Sequence, residues 1–132
     1  MLRITTFLLT VFLAFSVQAA DIVKDPGTVK AIFNDKTAKA YHLKRDSSWT
    51  NYFAADGTMK RVTEDDENQT GKWRINDNAE HCIKWDHKNR EFCRAILKGK
   101  RDGVYFRVKL KGDRIVKLVR FKRFRDGNDL PK

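Results

Sequence analysis

The residues best suited to chemistry lie near the C-terminal end of the chain, where Arg107, Lys109, Lys111, Arg114, Arg120 and Lys122 surround Tyr105. Guanidinium and ammonium groups at that density engage phosphate, sulfate or carboxylate, and a tyrosine among them adds a stacking surface. They form a candidate anion-binding set. Catalytic patterns are missing by comparison. His42, His81 and His87 are scattered without zinc-ligand spacing, and no Ser-His-Asp order or working pair of carboxylates can be named. Glu64-Asp65-Asp66-Glu67 lacks the glycine and ligand alternation of a calcium loop. Asn68-Gln69-Thr70 fits a glycosylation sequon that matters only in a host that modifies exported proteins. The expectation is a non-enzyme with no catalytic residue, metal or cofactor.

The element that must carry the basic set is a hairpin. Residues 103–110 and 114–122 are rich in Val, Ile, Phe and Tyr, and Gly112-Asp113 between them has the composition of a two-residue turn. Pairing Lys111 with Arg114 sets Leu110 opposite Ile115, Val108 opposite Lys117, Phe106 opposite Val119 and Val104 opposite Phe121, which reads as the core face. The other parity collects the basic residues and Tyr105, interrupted by Val116 and Leu118. Charge supports the segment as special. Residues 94–125 hold 13 Lys or Arg against Asp102 and Asp113, and the rest of the chain after residue 19 sums to a net of −1. Crowding like charges on adjacent strands costs a few tenths of a kcal/mol, about 0.2–1 per close pair at most. A face built for an anionic polymer or lipid head group is one explanation, and a solvated, edge-protecting outer face is the other.

Cys82 and Cys93 flank a second hairpin. Ile83-Lys84-Trp85 and Glu91-Phe92 read as strands around Asp86-His87-Lys88-Asn89, and a turn centred on His87-Lys88 sets 85 opposite 90 and 82 opposite 93. A disulfide is the expected state, worth roughly 3 kcal/mol for a loop of about 12 residues. Toward the N-terminus, Asp25-Pro26-Gly27-Thr28 can start a short helix with Val29, Ile32 and Phe33 on one side. Residues 37–43, 48–54, 59–63 and 71–75 are strand candidates, with Asp56-Gly57 as a turn. The sum is about eight short strands and one N-terminal helix, a mainly β chain arranged as a small antiparallel barrel or sandwich.

The first nineteen residues set the expected address. Arg3, the apolar run from Ile4 to Phe15 and the small residues ending at Ala19 form a general secretory signal with cleavage after Ala19. The run is shorter than the roughly 20 residues of a spanning helix. Residues 1–19 are thus read as a signal peptide and 20–132 as a single β domain of the periplasm or the medium, a compartment that permits the disulfide.

The order Trp49-x-x-Tyr52-Phe53-x-x-Asp56-Gly57-Thr58, Gly71-x-Trp73-x-Ile75, Cys82-x-x-Trp85, Cys93 and Gly127-Asn128 resembles a family of small exported proteobacterial proteins of unknown function, described as lipocalin-like. The resemblance spans roughly residues 37–130 and excludes the basic hairpin. It implies a β-barrel and a periplasmic address and transfers no activity. Three functions follow as expectations. The first is binding of an anionic partner, such as lipopolysaccharide, acidic polysaccharide or nucleic acid, through the hairpin. The others are a carrier of a small apolar ligand inside the barrel and an inhibitor of a secreted enzyme.

Overall fold

Short strands joined by tight turns have mainly their sequence neighbours to pair with, and that order is the one observed. The computed structural model describes residues 21–65 and 67–132, so the signal segment expected over 1–19 lies outside the described residues. Among the described residues, eight strands follow one helix: α1 (Pro26–Phe33), β1 (Lys36–His42), β2 (Ser47–Phe53), β3 (Thr58–Thr63), β4 (Asn68–Ile75), β5 (His81–Trp85), β6 (Phe92–Lys98), β7 (Tyr105–Lys111) and β8 (Arg114–Asp126). Each pairs antiparallel with the next, and β8 returns to β1 to close the barrel. Closure removes the unpaired edges that an open sheet would expose. Among the described residues, no helix is long and apolar enough to cross a membrane.

The helix stops one end of the barrel. Asp25 accepts a hydrogen bond from the Thr28 amide at 2.9 Å, and Pro26 opens the first turn, where its missing N–H costs nothing. Val29 and Phe33 are fully buried. Phe33 stacks on His81 at 4.2 Å and meets Phe53 and Phe121 edge-on at 5.2 and 5.3 Å. Burying such a ring contributes about 1.5–3 kcal/mol. The C-terminal tail is fastened at the same end: Thr37 Oγ1 donates to Gly127 O at 2.6 Å and accepts from the Asp129 amide at 2.9 Å.

Cys82 and Cys93 stand directly opposite each other and are joined by a disulfide, as the hairpin register anticipates. The pairing stops sooner than anticipated, at Ile83↔Phe92, which leaves residues 86–91 as a loop rather than a tight turn with 85 facing 90.

The β7–β8 hairpin departs further. Lys111↔Arg114, Leu110↔Ile115 and Val108↔Lys117 pair as expected, but the register then shifts: Arg107 faces Val119, Phe106 faces Arg120 and Tyr105 faces Phe121. The extra residue is Leu118 on β8. A one-residue bulge reverses side-chain parity on the strand that carries it. Val119 and Phe121 therefore remain inside while β7 presents Tyr105 and Arg107 to the interior, and Phe106 and Leu110 fall on the opposite, outward parity. A second irregularity lies between the Thr37↔Arg125 and Lys39↔Lys122 pairs of β1 and β8. There Arg123 takes a φ of 55°, and Phe124 is turned back onto the core.

Candidate functional site

Alternation along a barrel strand sends every second side chain inward, and most inward positions near α1 are apolar: Ala38, Phe53, Met59, Trp73, Ile83 and Phe121. Toward the opposite end the same parity delivers cations. Arg61 lies two residues beyond Met59, Arg94 two before Ile96, and Arg107 faces Ile96 across the β6–β7 ladder. With Arg45 from the β1–β2 loop they line a cavity of about 300 Å³ that opens away from the helix. No carboxylate lines it among the described residues. The three ion pairs among those residues, Lys36–Asp126, Arg74–Glu91 and Arg125–Asp129, all lie elsewhere.

Arg107 sits deepest in chemical terms. It is 9% exposed, and its guanidinium donates to the carbonyl oxygens of His81 at 3.3 Å and Phe92 at 3.1 Å. Those carbonyls flank the disulfide, so the β5–β6 crosslink holds the clamp. Burial pulls the Arg107 pKa down to about 9, and the neighbouring Arg94 charge adds to the effect. A buried cation with carbonyls but no carboxylate around it retains an unneutralised charge. Arg61 is also pushed down by burial and then by Arg45, against a smaller upward pull from Glu67, which lies outside the cavity lining.

Aromatic groups form the rest of the wall. The Arg61 guanidinium carbon lies 4.8 Å from the Trp49 ring centroid and 5.1 Å from that of Trp85. Gly71, paired with Trp85, makes this packing feasible: a Cβ there would come within 2.6 Å of Lys84 O and 3.2 Å of the Trp85 ring. Asn51 is 1% exposed, and its Oδ1, together with Trp49 Nε1 and Arg61 Nε, is buried without a hydrogen-bond partner. Such atoms are rare in folded proteins because each forfeits its hydration. His42 at the rim has its Nδ1 accepting from the Lys44 and Arg45 amides at 3.3 and 3.2 Å, and burial, Arg45 and Lys44 lower its pKa. Below the cavity, burial holds His81 well under the ordinary histidine range, with the Arg107 charge adding to it.

The seven residues expected on one basic face are divided among three places. Tyr105 and Arg107 point into the barrel. Lys109, Lys111 and Arg114 are exposed on the part of the hairpin that extends past its neighbours, since β6 pairs with β7 only as far as Val108 and β1 pairs with β8 only as far as Val119. Arg120 and Lys122 lie on the outer wall, with Arg120 5.2 Å over the Tyr41 ring. The bulge at Leu118 separates Tyr105 and Arg107 from Arg120 and Lys122, and the overhang of the hairpin sets Lys109, Lys111 and Arg114 apart. Sequence reasoning missed Arg61, Arg94 and Asn51. Their signal was a polar residue at core parity two positions from an apolar neighbour, in the strands read over 48–54 and 59–63 for Asn51 and Arg61 and just past the strand read at Glu91-Phe92 for Arg94.

The one cluster with metal-ligating atoms among the described residues is Cys82, Glu91 and Cys93, whose two sulfurs are bonded to each other. Comparison of the chain with protein-family models, with curated proteins and with solved structures finds no match.

Proposed function

We propose that the domain is an exported, non-enzymatic binding protein that takes a small anionic ligand into the open end of the barrel. The observation that carries this reading is Arg107, a buried guanidinium clamped by two carbonyls in a cavity lined by three more arginines and no acid. At an effective dielectric constant of 20, an anion about 4 Å from such a charge gains roughly 4 kcal/mol of Coulomb energy. The test is titration of the oxidised protein with sulfate, pyrophosphate, citrate and 2-naphthoate, before and after Arg107→Met. Saturable one-to-one binding of at least one anion, lost in the variant, supports the cavity; binding that survives Arg107→Met overturns it.

A second reading has its own observation. Beyond Val108 the hairpin becomes a two-stranded arm about 10 Å long at 3.3 Å per residue. It carries exposed Lys109, Lys111, Arg114 and Lys117 against Asp113, and Leu110 at its end is 57% exposed. Such an arm suits an anionic polymer or lipid head group, including lipopolysaccharide, acidic polysaccharide or nucleic acid. Binding there would weaken steeply with salt and would be removed by Lys109→Gln, Lys111→Gln and Arg114→Gln together. If that triple variant binds heparin as the parent does, the arm is only solvated exterior.

A further inference from the structure

The lining of the cavity combines cations with aromatic rings, a combination that selects among anions. Arg94 and Arg107 form one cationic patch, close enough for the first to depress the pKa of the second. The lining also includes Trp49, Trp85, Phe92 and Phe121. We propose that the cavity takes a planar organic acid of one or two rings, with its carboxylate or sulfonate at Arg94 and Arg107 and its ring against the remaining aromatic lining and the Arg61 plane. This rests on the cavity being the anion site.

Three observations narrow the class. The volume of about 300 Å³ lies at the small end of the 300–1,000 Å³ range of ligand cavities. Phe33, Phe53 and His81 close the barrel beneath, so a polymer cannot thread it. An inorganic anion would be met by the arginines but would leave the apolar faces of Trp85, Phe92 and Phe121 uncovered, area that a ligand ring buries. A neutral apolar molecule would match the walls and leave the Arg107 charge unneutralised. Flatness follows from the tryptophans. Their rings already hold the planar Arg61 guanidinium between them, and a guanidinium plane itself stacks on an aromatic ring. A flat ligand extends that stack, with Asn51 positioned on the same lining to meet a polar ring substituent.

The experiment uses the oxidised protein, with tryptophan fluorescence read against 2-naphthoate, its uncharged counterpart 2-naphthalenemethanol, and pyrophosphate. A charge-assisted hydrogen bond sets the expected discrimination: 2-naphthoate binds one-to-one and about 30-fold more tightly than the alcohol. Pyrophosphate fails to displace it. Arg107→Met reduces naphthoate affinity to that of the alcohol and leaves the alcohol unchanged. Should Arg107→Met fail to give the parent near-ultraviolet circular dichroism, Arg94→Gln, at a partly exposed position, serves in its place with an expected loss of about tenfold. Pyrophosphate binding more tightly than naphthoate, and through Arg107, overturns the organic-acid class while leaving an anion site. Equal affinity for acid and alcohol overturns the inference as well. No Arg107-dependent binding of either anion removes the reading on which it rests.

Discussion

The barrel mouth and the hairpin arm are both rich in arginine or lysine, yet the same charge does different work in the two places. On the arm, Lys109, Lys111 and Arg114 stand in water, where salt screens them within about 8–10 Å and the cost of crowding them is small. In the mouth, Arg107 is buried, is depressed to about 9, and has no acid beside it. Charge density along the chain marks the arm; charge placed at core parity marks the mouth. The second carries more information, because folding tolerates exposed lysines and resists a buried cation without a counterion.

The largest expected effect separates the two regions through the disulfide. Replacing Cys82 and Cys93 by serine should lower unfolding free energy by about 3 kcal/mol, measured by urea denaturation. It should also weaken anion binding in the mouth, because the bond joins the strands whose carbonyls hold Arg107, while leaving heparin binding by the arm unchanged. Equal loss at both regions would remove the distinction. Next, Arg107→Met should weaken naphthoate binding in the mouth by about 30-fold, within the 1.5–3 kcal/mol of a charge-assisted bond, without altering salt-dependent binding at the arm.

Titration sharpens the comparison. Because folded Arg107 releases its proton near 9 and the unfolded residue only at much higher pH, folding is penalised in full below 9 and the penalty is relieved as pH rises above it. Anion affinity in the mouth should therefore be level from pH 7 to 8 and fall above about 9, as measured by titration calorimetry. His81 acts at the other end of the scale. Its folded pKa is depressed, so the unfolded chain takes up a proton that the folded chain refuses, and stability falls as pH drops below the ordinary value of 6.5. The expected slope is about 1.4 kcal/mol per pH unit, and it should vanish in His81→Leu. The smallest effect belongs to the arm. Lys109→Gln with Lys111→Gln should change unfolding free energy by under about 0.5 kcal/mol.

Much of the fold was legible. Asp25-Pro26 marked the helix start, Asp56-Gly57 and Gly112-Asp113 marked turns, and the spacing of Cys82 and Cys93 around a hairpin marked the disulfide, since each rests on local geometry that a few residues decide. The candidate site was less legible. Arg107 was visible as a basic residue but assigned to the outer face, because strict alternation was carried through a strand pair that contains a bulge.

By itself the sequence determined the strand count, the short helix that starts at Pro26, the cysteine pairing and the uneven charge, all of which follow from neighbours within about a dozen residues. Only the tertiary structure decided that β8 returns to β1, that Leu118 is the residue left over, and that Arg45, Arg61, Arg94 and Arg107 converge from four separate elements on one cavity. A closed barrel brings together side chains far apart in the chain, and a one-residue shift in register determines which of them face inward.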